Sequence, residues 1–420
     1  MKIGIDASRA FLKNRTGIEE YSYRVIDGLK NNLQNEQVVL YVRKTDNLQL
    51  TTDNGNTKIN ELELPANWSV KVIKWPRFWT QIGLSLELLL HPIDALFVPA
   101  HTVPIFHPAR NATRFFNNAF IWQVRKLFNS KEEWKYMHSV AGGPKKTVVV
   151  VHGLEYEFCP EAYSFLEKFY MRWTIKKSCQ WASKIISVSE NTKRDLINLY
   201  NVPAEKITVI YEGYADGNQQ LVTRNQLHGN QQLVTSYQLL VTSYCPYLLF
   251  VGRIEQRKNI SNVVEAFNLL KERSDIEHKL VLAGRPGYGY EDIKLKIENS
   301  KFKKDIIELG YISEEEKWQL FKKADVFVFA TFYEGFGIPI LEAQSAGCPV
   351  VASNNSSIPE VANDSALLVD PMSHEDIAGN IYKLLSDKDF KDAIIQKGLE
   401  NVKRFSWEKC AQEIANEIIK

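Results

Sequence analysis

The run Phe327-Val-Phe-Ala-Thr-Phe-Tyr-Glu-Gly-Phe-Gly-Ile-Pro-Ile-Leu-Glu342 constrains this chain more than any other stretch, because it joins a buried strand to a helix through a glycine loop. Asp325 to Ala330 is apolar, β-branched and aromatic, the pattern of a strand covered on both faces in a parallel sheet. Gly335 and Gly337 let the backbone turn and approach a ligand closely. Pro339 suits the first turn of the helix that follows, and Gly347 is placed to end it. Free N–H groups at that helix start would face the loop and favour an anion such as phosphate. Glu334 falls in the loop and Glu342 one turn inside the helix. Helical side chains lean toward the N-terminus, so both carboxylates can reach one ligand. Phosphate would repel them, and sugar hydroxyls suit them better. On spacing alone, Glu342 balancing the helix dipole beside a solvated Glu334 fits equally well.

Elsewhere short apolar runs alternate with helical patterns, which predicts α/β architecture with two Rossmann-like, doubly wound domains. The first-half strands are expected at Lys2 to Asp6, Val38 to Val42, Val70 to Lys74, Ala95 to Pro99, Thr147 to Val151, Lys184 to Val188 and Ile207 to Tyr211. Those of the second half are expected at Tyr247 to Val251, Lys279 to Ala283, Ile306 to Leu309, Asp325 to Ala330 and Pro349 to Ala352. A length of 420 residues exceeds one ordinary core. The expected division is a first domain over 1–213, a linker over 214–246 and a second domain over 247–403, with a helix over 404–420 packing back on the first.

The linker contains Gly217-Asn-Gln-Gln-Leu-Val-Thr, repeated verbatim at Gly229 to Thr235, and Leu-Val-Thr-Ser-Tyr at Leu233 and again at Leu240. Such short, almost uncharged repeats cannot build a core, and a hinge tolerates added length. A small β-addition is the rival reading, since Leu-Val-Thr favours strands. A second irregular piece, 110–146, carries Phe116, Phe120, Val124 and Phe128 at helical spacing and a net charge of +6. It fits a helix packed on its own domain, or a peripheral dock for an anionic membrane or a lipid diphosphate.

Composition narrows the partners. A formal charge of +2 gives no nucleic-acid footprint. The five cysteines lack the paired spacing of a zinc or redox site, and the eight histidines include no His-Glu-x-x-His, so neither a metal nor a cofactor is expected. Met1-Lys-Ile-Gly-Ile-Asp enters a strand without a leader, and no uncharged apolar stretch reaches spanning length. The expected location is cytoplasmic, with membrane contact at the inner face at most peripheral.

The Glu334-x7-Glu342 spacing, followed by Ala343-Gln-Ser-Ala-Gly-Cys-Pro-Val-Val, resembles the donor-site signature of the retaining glycosyltransferases of family 4. The resemblance extends from Ile3-Gly-Ile-Asp-Ala-Ser and Thr16-Gly-Ile-Glu-Glu-Tyr through Ile186-Ser-Val-Ser-Glu-Asn-Thr-Lys-Arg-Asp-Leu to Phe250-Val-Gly-Arg-Ile-Glu-Gln-Arg-Lys-Asn and Phe405-Ser-Trp-Glu. Within the family the chain is most similar to mannosyltransferase-type members of bacterial polysaccharide assembly. The resemblance implies GT-B architecture, with two domains facing a cleft. It also implies transfer of a hexose, mannose first, from a nucleotide sugar (GDP-mannose, or a UDP-sugar) to a glycan or lipid-linked acceptor.

A diphosphate leaving group needs cations. Arg253 and Lys258 follow strand Tyr247 to Val251 and emerge at the carboxyl edge of the sheet, where open α/β sheets bind ligands. Arg-x4-Lys by itself also fits a solvated basic loop. The resemblance makes these two the diphosphate ligands, with Arg257 solvent-facing or structural. It places Glu334 with Gly335, Phe336 and Gly337 on sugar and phosphate, and Glu342 on ribose hydroxyls. Gly17, which alone fits a plain turn, is placed near the phosphates from across the cleft. His152, a residue that at a strand end is commonly a packed or capping side chain, is placed near the donor sugar. The family pair there is His-Asp, whereas this chain has Gly153, which bears on acceptor or sugar preference. No complete G-x-G-x-x-G or Walker loop supports a dinucleotide oxidoreductase or an ATPase. A nucleotide-sugar epimerase or hydrolase of the same architecture, or a silent binding subunit, are the competing classes.

Overall fold

The computed structural model describes residues 1–12, 15, 17–44, 48–53, 56–75, 79–100, 102–104, 144–214 and 245–420. The 217–244 repeats lie outside these residues, as does 110–146 apart from its last three positions.

The first lobe is built on a parallel seven-stranded sheet in the order β10-β9-β8-β7-β1-β2-β6. Its strands are β1 (Lys2–Asp6), β2 (Gln37–Arg43), β6 (Trp68–Ile73), β7 (Ala95–Val98), β8 (Lys146–Val151), β9 (Lys184–Ser187) and β10 (Ile207–Val209). Between β2 and β6 an antiparallel ribbon of β3 (Leu50–Asp53), β4 (Asn56–Ile59) and β5 (Leu62–Glu63) is inserted. The helices that matter here are α1 (Gly17–Asn32), α2 (Ser85–Leu90), α3 (Glu155–Phe158), α4 (Phe165–Trp181) and α5 (Glu190–Tyr200).

The second lobe repeats the plan with a parallel six-stranded sheet, β13-β12-β11-β14-β15-β16. Its strands are β11 (Tyr247–Val251), β12 (Lys279–Ala283), β13 (Ile306–Gly310), β14 (Val326–Phe329), β15 (Val350–Ser353) and β16 (Leu367–Val369). They alternate with α6 (Ile260–Arg273), α7 (Tyr290–Glu298), α8 (Glu314–Lys323), α9 (Ile338–Ser345), α10 (Ile358–Ala362) and α11 (His374–Ser386). Helices α12 (Lys388–Asn401) and α13 (Trp407–Ile419) end the chain.

Every run expected as a strand forms one, with ends within two residues of the expected positions. The central strands are wholly buried, Val326–Phe329 and Tyr247–Val251 at every position, because helices cover both faces of each sheet. Helix α13 carries Cys410, Ile414 and Ile418 into the first lobe's core and packs along α1. The ribbon β3–β5 and the short strand β16 were not among the expected strands.

Candidate active site

In the second sheet β11 and β14 are neighbours, and the chain order runs outward from them in opposite directions. This is a topological switch point, the place where the loops leaving two adjacent strands part and open a crevice. Both stretches singled out in the sequence leave from it. Arg253 and Lys258 follow β11, and Glu334 to Gly337 follow β14.

The loop after β14 is held by serines of the loop that follows the next strand, β15. The Ser357 hydroxyl lies 2.9 Å from the Glu334 carbonyl oxygen and 2.7 Å from that of Phe336, while the Glu334 N–H donates to Ser356 Oγ at 3.1 Å. Gly337, at φ +117°, caps α9, and no side chain among the described residues takes over its first N–H groups. Gly335 is required by proximity: a Cβ there would lie 1.7 Å from the His152 carbonyl oxygen. Phe336 points away from the sheet edge into an aromatic group with Tyr211 and Phe405, within the first lobe's core cluster.

Glu334 is buried, and Lys258 Nζ donates to its Oε1 at 2.6 Å while Arg257 Nη1 donates to the same oxygen at 3.0 Å. Burial alone would push this carboxyl up, but the two adjoining cations outweigh it and hold Glu334 below the usual carboxylate range. Arg257 also donates to the Tyr333 carbonyl at 2.7 Å and to Glu255 at 2.9 Å, so of its two expected roles it has the structural one. Asn259, at φ +60°, ties the turn down through donation to the Ala330 and Pro371 carbonyls. An ammonium has three donors, so Lys258 can hold Glu334 and still bind an oxyanion. Arg253 is exposed and stands in no ion pair among the described residues.

Glu342 is also buried, and its Oε1 accepts from Lys317 Nζ of α8 at 2.8 Å. Lys317 is shared with Glu314, also at 2.8 Å. Burial raises the Glu342 carboxyl, opposed by Lys317, with Glu314 and Glu20 of α1 adding repulsion. Lys317 was missed in the sequence, where nothing marks a lysine in an acidic helix start as the partner of a carboxylate on another helix.

From the first lobe, Gly17 opens α1 in an exposed position. His152 follows β8 and its ring is buried edge-on against Tyr21. Nδ1 lies 3.0 Å from Glu212 Oε1 and Nε2 lies 2.8 Å from the Pro99 carbonyl. The carbonyl can only accept, so Nε2 is the donor to Pro99. Glu212 was not singled out in the sequence. In this arrangement His152 faces the second lobe with its main chain. A side chain at Gly153 would meet the Gly335 backbone at 3.2 Å and the Glu155 carboxylate at 3.0 Å, so the closeness of the two loops disfavours the family's Asp.

The lobes touch directly. Glu360 of α10 accepts from the Glu190 and Asn191 N–H groups at the start of α5, at 2.8 and 2.9 Å, as a carboxylate does at a helix N-terminus. The Tyr333 hydroxyl donates to Asp195 at 2.7 Å, and its ring stacks on Phe158 at 4.4 Å. Between the lobes a cavity of about 130 Å³ is lined by Ala162, Tyr163, Arg253, Glu255, Arg257 and Tyr288.

Two doubly wound lobes closing on a crevice are the GT-B architecture of glycosyltransferases, and sequence comparison agrees. The family described as "Glycosyl transferases group 1" matches residues 242–401, and "Glycosyltransferase Family 4" matches 92–216. The O-antigen chain mannosyltransferase B of Escherichia coli is 32% identical over 272 residues, covering 65% of this chain and 70% of that protein. An O-antigen chain mannosyltransferase of Salmonella typhimurium is 28% identical over 229 residues, covering 54% of this chain and 57% of that one. Among solved structures, Anabaena HepE in complex with UDP-glucose superposes with a TM-score of 0.64 at 16% identity, covering 100% of this chain and 99% of that one. The chain belongs to glycosyltransferase family 4 and is a glycosyltransferase.

Proposed function

We propose that the chain transfers mannose from GDP-mannose, with retention of anomeric configuration, to a glycan or lipid-linked acceptor in bacterial polysaccharide assembly at the inner face of the membrane. The observation that carries this reading is the convergence, at one switch point, of Arg253, the Lys258–Glu334 pair and the start of α9, whose Gly337 cap supplies no side-chain acceptor. The names of the O-antigen relatives support mannose.

In this mechanism Glu342 accepts from the ribose hydroxyls, and Lys317 holds its carboxylate in place. Arg253 and the remaining donors of Lys258 bind the diphosphate, while Glu334 and the Gly335–Gly337 backbone meet sugar and phosphate. Gly17 approaches the phosphates from the first lobe, and His152, held by Glu212, fixes the loop that covers the sugar. The acceptor hydroxyl attacks the anomeric carbon from the face the diphosphate leaves. The new C–O bond forms as the C–O bond to phosphate breaks, and the departing phosphate oxygen takes the acceptor proton. The cations stabilise charge that grows on the leaving group, which is where electrostatic catalysis gains most. Closure excludes water and aligns the hydroxyl.

The test screens nucleotide sugars by thermal shift, then assays the stabilising donor for transfer and reads the product anomer by NMR. GDP-mannose is expected to stabilise the chain and to give an α-linked product. Turnover with UDP-glucose and none with GDP-mannose overturns the donor assignment, and hydrolysis without transfer to any glycan overturns the reaction.

A further inference from the structure

Helix α4 is turned inside out. The side it buries is small and partly polar, Thr174, Ile175, Ser178 and Cys179, whereas its first two turns expose Phe165 at 78%, Leu166 at 76% and Phe169 at 63%, followed by Tyr170 and Trp173. At 100° per residue the exposed apolar side chains fall within one arc, and Lys176 and Lys177 continue the same face toward the C-terminus. The helix carries Lys168, Arg172, Lys176 and Lys177 against the single carboxylate Glu167, which is occupied in a capping box with Ser164. Scattered exposed apolar residues need no explanation; a contiguous aromatic row on one helix does. Beside it, between α4 and α5, lies an open groove of about 460 Å³ lined by Phe169, Trp173, Leu199 and Tyr200 with Lys176 and with Arg172, whose guanidinium is paired to Glu157 on the groove wall, so the unpaired positive charge of this face comes from its lysines.

We propose that the exposed face of α4 docks on an anionic phospholipid surface. Aromatic rings and leucine enter the boundary between headgroups and acyl chains, and the lysines meet the anionic headgroups. Charge selects this occupant over a second copy of the chain, because twofold pairing of the face would bring its cations together. The placement has a consequence for the reaction. Phe158, exposed at the end of α3, stacks on Tyr333, the residue before Glu334, so the docked surface adjoins the crevice. A lipid-linked acceptor lying in the bilayer would then reach the cleft without leaving the membrane. Among the described residues no helix is long and apolar enough to cross a membrane, so this attachment is to one face of it.

The experiment is flotation of the full chain with vesicles of phosphatidylcholine, alone or with about a third phosphatidylglycerol, at low and high salt and with no donor present. The wild type is expected to float with the anionic vesicles. The variant Phe165→Ser, Leu166→Ser, Phe169→Ser loses roughly tenfold or more of that binding at either salt. The variant Lys176→Glu, Lys177→Glu loses the preference for anionic lipid at low salt and matches wild type at high salt. Both should keep wild-type melting temperatures and nucleotide binding, which separates lost docking from lost folding and from failure of the donor reading. Four outcomes overturn the proposal: no flotation of the wild type; wild-type flotation of both variants; a wild-type dimer that the apolar variant makes monomeric; or loss of flotation only on Arg125→Glu, Lys126→Glu.

Discussion

The two walls of the cleft are made differently. The second lobe's wall is a set of charges already paired, Lys258 and Arg257 on Glu334 and Lys317 on Glu342, with the loops beneath them pinned by Asn259 and Ser357. The first lobe's wall offers mainly backbone: Gly17 at a helix start and the His152–Gly153 strand end, whose one ionisable ring is engaged behind it with Glu212 and Pro99. On the function proposed above, the second lobe recognises the donor with charges that are already paired and cost little reorganisation when a charged ligand arrives. Backbone closing on backbone gives shape rather than charge, and on the same proposal the first lobe governs access and alignment. Substitutions in one wall should change donor affinity and leaving-group stabilisation. Those at the contact between walls should change closure.

The strongest test of this contrast is Glu334→Gln. It leaves Lys258 and Arg257 buried beside an amide, a loss of roughly 3–5 kcal/mol for a broken buried pair, or about 10 °C in the melting temperature of a lobe this size. Turnover should fall about 100-fold or more. Adding Lys258→Met should recover much of the melting temperature and none of the turnover. A Glu334→Gln protein that melts like wild type breaks the picture of a charge-built wall.

Arg253→Ala comes next and separates chemistry from stability. The side chain is exposed and unpaired, so melting should move by less than about 0.5 kcal/mol, while kcat falls roughly 10–100-fold. Glu342→Ala should instead raise the Kd for GDP about tenfold, as expected for hydrogen bonds to a charged group. Isothermal titration and steady-state kinetics distinguish the two. If Arg253→Ala weakens GDP binding more than Glu342→Ala does, the division of labour within the second wall is reversed.

Much of the fold was legible because it is local. An apolar run bounded by glycine and proline announces a buried strand wherever it stands, and the β14–α9 unit was readable from Asp325 to Gly347. Strand β16, only Leu367–Val369, is too short to show a period, and the ribbon β3–β5 is polar enough to pass for a loop. The pairings in the site were hidden for another reason. Lys258 meets Glu334 across 76 positions and Glu360 caps α5 across some 170, separations fixed by sheet order and by how the lobes meet. Single-residue chemistry marks Glu334 as interesting, but only the switch point brings a cation to it.

The contact between walls is expected to carry a smaller effect. Glu360→Gln keeps the size of the side chain and removes the charge that suits the α5 N-terminus, worth about 0.3–1 kcal/mol. With closure weakened by that amount, kcat should fall about two- to fivefold and GDP affinity, set by the second wall, should stay as it was. A loss of GDP affinity equal to the loss of kcat would mean that the donor is bound by both walls together.

The walls should also differ in acid, and here the sign follows from the direction of each shift. In the second lobe Asp325 is held down at about 2, where burial alone would raise it, by hydrogen bonds and charge from His278 and Lys391, and Glu334 is held below 4.5 by Arg257 and Lys258. A carboxyl depressed in the fold contributes stability above its unfolded value, 3.8 for Asp325, and loses it as pH falls through the folded one. In the first lobe the buried carboxyls Asp6 and Asp195 are raised by burial, so protonation between their folded values and 3.8 favours the folded state. Each lobe has one group of the opposite sign: Glu20, depressed between Arg15 and Arg24, is a partly exposed pair on α1, and Glu342 of the second lobe is raised by burial, so each offsets the balance of its own lobe without reversing it. Between pH 4 and about 2 the second lobe should therefore open first, seen by hydrogen exchange as earlier loss of protection in β14 and α6 than in β1 and β9. Earlier exchange in β1 would place the more acid-sensitive charges in the first lobe, and the contrast between the walls would fail.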